Sequence, residues 1–145
     1  MPEIKNRSAF HDFFIDATYD AGIVLSGTEV KSIRGGKVSF NDSYCQVHQG
    51  EIWVKSLHIA EYSHGNLNNH ESVQDRKLLL HKKEIRKIEG KLKEKGYTLV
   101  PLKIYFTDKN LVKMEIGLAK GKKLHDKRDT IRKKDVEREI KRFLK

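Results

Sequence analysis

The sequence predicts a mainly β fold: an OB-like antiparallel barrel of about six strands, with two or three helices and a basic C-terminal tail. Three observations carry that prediction. Short segments rich in β-branched and aromatic residues recur between Gly, Asn and Asp punctuation. One late segment alternates apolar and charged residues with a period of two. Much of the positive charge is gathered at the end of the chain.

The predicted strands are 13–19, 22–25, 43–48, 51–59, 98–107 and 111–118. In the last of these, Val112, Met114, Ile116 and Leu118 share one face while Lys113 and Glu115 take the other, so one face is buried and one is wet. Asp108, Lys109 and Asn110 form the turn back to the strand that holds Leu102, Ile104 and Phe106, and Gln49-Gly50 closes a second hairpin. A brief helix is predicted over 28–34, after Gly27 and before Gly35-Gly36, with Val30 and Ile33 inward. A longer one is predicted over 81–95. Ile85, Ile88 and Leu92 form its apolar stripe, Glu84 complements the positive end of its dipole, Gly96 stops it, and Gly90 weakens it. Six short strands interrupted by a helix make a closed or nearly closed barrel, of which the oligonucleotide-binding type is the obvious candidate.

Composition bounds what such a barrel does. A chain of 145 residues with 37% hydrophobic content supports one modest core. Thirty Lys and Arg against twenty Asp and Glu leave a net charge of +10, which favours an anionic partner such as nucleic acid or a membrane surface. Residues 120–145 hold twelve basic and five acidic side chains, a net of +7, leaving +3 for the preceding 119. The expected organisation is therefore a barrel domain over 1–119 and a basic tail over 120–145. No run approaches the roughly 20 apolar residues of a membrane span, and the first seven residues lack the apolar stretch of a secretory signal, so a cytoplasmic protein with no membrane partner is expected. Cys45 is the single cysteine, which excludes an intrachain disulfide and a cysteine metal cluster. A monomer is expected.

In the tail, Asp129 or Thr130 is placed to cap a helix whose apolar residues are Ile131, Val136, Ile140, Phe143 and Leu144. That stripe is thin, and a lone helix of about 16 residues is marginal in water. With Arg132, Lys133 and Lys134 adding charge, disorder in the free protein and a helix on an RNA surface are expected. The other reading is a helix docked on the barrel.

Catalytic constellations are sparse. Gly-Leu-Ala-Lys-Gly-Lys-Lys at 117–123 has the wrong glycine spacing for a phosphate-cradling loop and no Ser or Thr after the lysine. The seven histidines include no His-x-x-x-His pair, and His58, His64 and His70 are expected in loops or on the surface. No catalytic residue, metal or cofactor is expected. One enzymatic alternative exists, because Asp20 with Glu29-Val30-Lys31 resembles the carboxylate and Glu-x-Lys pattern of magnesium-dependent nucleases. The same residues fit a short helix with Val30 and Ile33 inward and Glu29 and Lys31 in solvent, which is the preferred reading. Tyr19, Trp53 and Tyr62 are aromatics available to stack on RNA if exposed, though a barrel needs aromatic core and Trp53 is expected buried.

Four stretches together carry a family resemblance over nearly the whole chain: Tyr-Asp-Ala-Gly-Ile-Val-Leu at 19–25, Gly-Thr-Glu-Val-Lys-Ser-Ile-Arg at 27–34, Arg-Lys-Leu-Leu-Leu-His-Lys-Lys-Glu-Ile at 76–85, and Gly-Lys-Lys-Leu-His-Asp-Lys-Arg at 121–128. In this order they resemble the SmpB family, protein partners of bacterial transfer-messenger RNA. The resemblance implies an oligonucleotide-binding-type barrel that binds the tRNA-like part of that RNA and delivers it to stalled ribosomes for trans-translation. It also implies a tail that enters the decoding centre of the small subunit and the message channel. It assigns RNA contacts to Asp20, Leu79 and His81, with Arg34, Arg76 and Lys77 as further cationic positions. Alternation requires at least one of Leu78, Leu79 and Leu80 to point outward. In the tail the resemblance assigns His125 to stacking on a decoding-centre base, accompanied by Lys122, Lys123, Asp126, Lys127 and Arg128, with Arg132, Lys133 and Lys134 further along. Two departures stand out. Asp20 replaces the family's usual Glu and is one methylene shorter, and Ser72 and Gln74 stand where the family often has a proline and an additional arginine. The alternative within the same broad class is a general RNA chaperone or ribosomal protein.

Overall fold

The structure is a computed structural model that describes residues 3–63 and 69–122. Its elements are β1 (Glu3–Lys5), α1 (Arg7–Asp12), β2 (Phe13–Ile23), α2 (Gly27–Arg34), β3 (Val38–Ser39), β4 (Tyr44–His48), β5 (Glu51–Lys55), β6 (His58–Ile59), β7 (Arg76–Leu79), α3 (Lys82–Leu92), β8 (Tyr97–Phe106) and β9 (Val112–Gly121). The main sheet runs β1-β8-β4-β5-β7-β2-β9, and β9 pairs again with β8. Six antiparallel strands therefore close into a ring, and β1 joins β8 beside β4. Closure leaves few free edges, which is how small all-β domains avoid open edge strands.

The turn chemistry follows the sequence. Gln49 and Gly50 both sit at positive φ, 51° and 75°, and join His48 to Glu51 as a two-residue hairpin with the twist that favours such turns. The turn between β8 and β9 places Asn110 at φ 62° and is tied by Thr107 N–H to the Leu111 carbonyl at 2.8 Å. In β9, Met114, Ile116 and Leu118 are buried in the barrel core with Ile33, Ile52, Val54, Leu78, Leu99 and Ile104, as the alternation predicts.

The differences have local causes. The two strands expected over 13–25 are one, because pairing with β9 continues through Asp20, Ala21 and Gly22 with a single bulge after Ile15. The strand expected over 51–59 breaks at Ser56, whose φ of 60° turns the chain so that Leu57 enters the core. The residues beyond the break form β6, which pairs with β3 in a separate two-stranded sheet. The longer helix ends at Leu92, short of 95, and Gly96 at φ 90° instead opens β8. Its stripe is as expected: Ile88 is buried, with Ile85 and Leu92 packed beside it. The short α1 covers a second, smaller core of Ala9, Val100, Leu102 and Ala119, anchored by Asn6, whose side-chain amide donates to the Pro101 carbonyl at 2.8 Å. There Gly117 permits close strand packing, since a Cβ would lie 2.8 Å from Leu102 Cδ1 and 3.3 Å from Ile15 Cγ2. The barrel extends to Gly121, two residues beyond the boundary expected at 119. Trp53 is half-buried rather than fully buried, because its position on β5 faces outward while Ile52 and Val54 take the core. His70 is a buried residue, not a surface one: its ring nitrogens bridge Thr28 Oγ1 and the Ile59 carbonyl, each at 2.9 Å.

Candidate nucleic-acid interface

Strand β7 sorts its four residues by alternation. Arg76 and Leu78 point inward, 2% and 1% exposed; Lys77 and Leu79 point outward, and Leu79 is 52% exposed. Leu79 is therefore the outward leucine of the run, Leu80 being half-buried against the core. A large apolar side chain held in water by a rigid strand is informative, since its exposure carries a cost unless something covers it.

Register extends this outer face across the barrel. Leu79 lies opposite Gly22 on β2, Gly22 opposite Lys113 on β9, and Lys113 opposite Tyr105 on β8. The next row places Asp20 opposite Glu115, and Glu115 opposite Lys103. Asp20 is exposed and accepts a hydrogen bond from the Tyr105 hydroxyl at 2.8 Å. Burial and that bond push the Tyr105 phenol up to about 12, so it keeps its proton and fixes the carboxylate in place. Lys103 reaches Glu3 at 3.7 Å and Glu115 at 4.0 Å, and Lys77 is paired with Glu51.

Two further cationic or polar positions flank this strip. Arg34, exposed at the end of α2, lies 5.2 Å over the ring of Phe106, at the β8 end next to the turn. His81 is exposed and immediately precedes α3, where its backbone N–H donates to Glu84 Oε1 at 3.1 Å.

Arg76 requires a correction. It is not a surface cation, and all five of its N–H groups are engaged inside the protein. Nε donates to Glu29 Oε2, Nη1 to the carbonyls of Leu57 (2.7 Å) and Gln74 (3.2 Å), and Nη2 to those of Glu71 (3.2 Å) and Ser72 (3.3 Å). Glu29 is corrected with it. At 3% exposed it does not face solvent: besides Arg76 it accepts from Gln74 Nε2 at 3.1 Å and from the backbone N–H of Ser26 at 2.8 Å, completing the capping box of α2. Burial alone would raise its carboxyl, but the bonds from Ser26 and Arg76, the charge of Arg76 and the bond from Gln74 hold it below the ordinary carboxylate range. A buried carboxylate committed to Ser26, Gln74 and the Arg76 guanidinium is not open to a metal ion, which removes the carboxylate on which the nuclease pattern of Asp20, Glu29 and Lys31 depends. Lys31 is exposed, 5.4 Å over the Tyr62 ring. Among the described residues no group of three His, Cys, Asp or Glu is placed to hold a metal ion.

Gln74 thus stands as a structural partner of Glu29 at the position where the resemblance leads one to expect another arginine. Of the tail positions, only Lys122 is described, its ammonium 5.0 Å over the Phe14 ring. Lys123, His125, Asp126, Lys127, Arg128, Arg132, Lys133 and Lys134 lie outside the described residues, as does the expected disorder-to-helix behaviour. Sequence reasoning placed Lys113 and Glu115 outward but gave them no part in the face, and it passed over Lys103, Tyr105 and Leu111. Alternation along 97–106 contained the signal for the first two.

Comparison with known proteins agrees with this architecture. The family model described as SmpB protein matches residues 3–145. An SsrA-binding protein of Fervidobacterium nodosum is 56% identical over 140 residues, covering 97% of this chain and 94% of the relative. One from Bacillus cytotoxicus is 55% identical over 141 residues, covering 97% and 90%. A solved structure described as "tmRNA-SmpB: a journey to the center of the bacterial ribosome" superposes with a TM-score of 0.72 at 50% identity, covering 84% of this chain and 85% of the other. With the family model spanning nearly every residue and relatives above half identity along the same length, the chain belongs to the SmpB protein family.

Proposed function

We propose that this protein binds the tRNA-like part of transfer-messenger RNA and delivers it to stalled ribosomes for trans-translation, acting in the cytoplasm without catalytic chemistry of its own. The observation that carries the reading is Leu79, held half in water on the same outer face as Asp20, in a chain of this family. RNA recognition of this kind relies on splayed bases covered by side chains and on phosphate contacts that position without reading sequence. Leu79 supplies the first, Arg34 and Lys77 the second, with His81 adjacent and Asp20 aimed by Tyr105. The basic residues from Lys122 onward enter the decoding site and message channel, His125 stacking on a base and Lys123, Lys127, Arg128, Arg132, Lys133 and Lys134 following phosphates. Among the described residues no helix is long and apolar enough to cross a membrane.

The test compares the intact chain with one ending at Lys122, which keeps the whole of β9. Both are expected to bind the tRNA-like fragment more tightly than an ordinary tRNA at two salt concentrations, and only the intact chain to support rescue on stalled ribosomes in a purified translation system. Equal affinity for both RNAs with a steep salt slope fits a general RNA chaperone instead.

A further inference from the structure

The outer face contains a recess of which the assigned contacts use a single wall, Leu79. Between α2 and the turn joining β8 to β9, Gly22, Val30, Leu79, Asn110, Leu111 and Lys113 line an open cleft of about 330 Å³. Its walls are two of the most exposed aliphatic side chains on the described surface, Leu79 and Leu111, the latter 59% exposed. Two apolar side chains left in water on either side of one recess are not explained by folding, since neither belongs to the core. Gly22 gives the recess depth: a Cβ there would extend from the sheet to within 3.4 Å of Leu79 Cβ. The rim is cationic. Lys113 lines it, and Arg34 lies one helical turn beyond Val30, over Phe106; neither is in an ion pair among the described residues.

We infer that this cleft is a pocket for one unstacked nucleobase, walled by Leu79 and Leu111 and opened by the missing side chain of Gly22. The inference rests on the RNA-binding reading above and deepens it by adding Leu111, Gly22 and Asn110 to the face. An apolar slot takes the flat surface of a base, a cationic rim takes the phosphates on either side of it, and a wholly aliphatic partner would leave that rim without anions. The volume sits at the small end of the range of about 300 to 1,000 Å³ for ligand sites, which suits a single base rather than a stacked run. Asn110 at the cleft edge has an amide that both donates and accepts, as a base edge requires.

The experiment titrates full-length wild type, Leu79→Ala, Leu111→Ala and Gly22→Ala with the tRNA-like fragment of transfer-messenger RNA and with an ordinary tRNA. The unpaired purines of the fragment are replaced one at a time by 2-aminopurine. Leu111 is exposed, and Gly22 has no positive φ and only an ordinary contact in the way, so both variants keep the fold, which circular dichroism melts confirm. Leu111→Ala and Gly22→Ala are each expected to weaken binding of the fragment roughly 5- to 50-fold, with tRNA binding unchanged. One 2-aminopurine is expected to change fluorescence on wild type and not on Gly22→Ala. If Leu79→Ala weakens binding while Leu111→Ala and Gly22→Ala bind like wild type, the pocket is wrong and the RNA-binding reading stands. If the two variants keep RNA affinity but lose ribosome association, the cleft belongs to a ribosomal surface and the inference is overturned. If wild type itself shows no preference for the fragment, both readings fall.

Discussion

Strand β7 places two kinds of basic residue side by side: Arg76 on its inner face and Lys77 on its outer face. Inside, the guanidinium is desolvated, so each donor has found an acceptor, and the pair with Glu29 ties the chain between Leu57 and Gln74 to α2. Outside, Lys77 and its partner Glu51 are both partly exposed, so that pair is worth little and is easily exchanged for a phosphate. The same division separates Leu78, sealed in the core, from Leu79, left in water. One strand thus serves the fold with its even-numbered residues and presents the proposed binding face with its odd-numbered ones, and the difference lies in solvent access rather than residue type.

That comparison can be broken most severely from within. Arg76→Ala strands a buried carboxylate and is expected to lower unfolding free energy by about 3–5 kcal/mol in urea titrations. A loss below about 1 kcal/mol, typical of an exposed pair, removes the contrast between the faces. The same pair sharpens it through pH. Because the folded carboxyl of Glu29 lies below its ordinary value of 4.5, its stabilisation is complete above that pH and is lost as pH falls through the folded value. Acid unfolding of wild type and Glu29→Gln should therefore differ at neutral pH and converge as pH falls through that lowered folded value. On the outer face the readout changes from stability to binding. Leu79→Ala is expected to leave the urea midpoint unmoved and to weaken binding of the tRNA-like fragment by roughly 10-fold, a loss of about 1.4 kcal/mol. Lys77→Ala should give the smallest effect, weakening all RNAs about equally and lowering the salt slope by about one phosphate contact.

How much of this the sequence disclosed depended on how local each feature is. Alternation at Val112, Met114, Ile116 and Leu118, the Gln49-Gly50 turn and the stripe of Ile85, Ile88 and Leu92 were legible because neighbours in sequence determine them. The barrel followed from their number. The union of Glu29 with Arg76 was not legible, because the two residues are 47 apart and each alone reads as an ordinary solvated charge. Alternation in Arg76, Lys77, Leu78 and Leu79 held the clue, since burying Leu78 obliges Arg76 to turn inward too. The six-residue α1, the three-residue β1, the two-residue β3 and the four-residue β7 were missed because they are too short to carry a clear period, and β6 was read as the end of one strand over 51–59. The candidate face emerged only once register aligned Leu79, Gly22, Lys113 and Tyr105 from four separate strands.

The pairing of β2 with β9 has a geometric consequence for the ribosome. Gly22, beside Leu79, stands at one end of β2, while Gly121 pairs with Phe13 at the other, where Lys122 covers Phe14 and the described residues end. Nine residue steps of strand separate the two, a span of about 30 Å. Under the proposed function the barrel is thus a fixed-length spacer between the face that holds RNA and the first residue of the basic segment, and anything that lengthened or slipped β2 would alter the distance between the two.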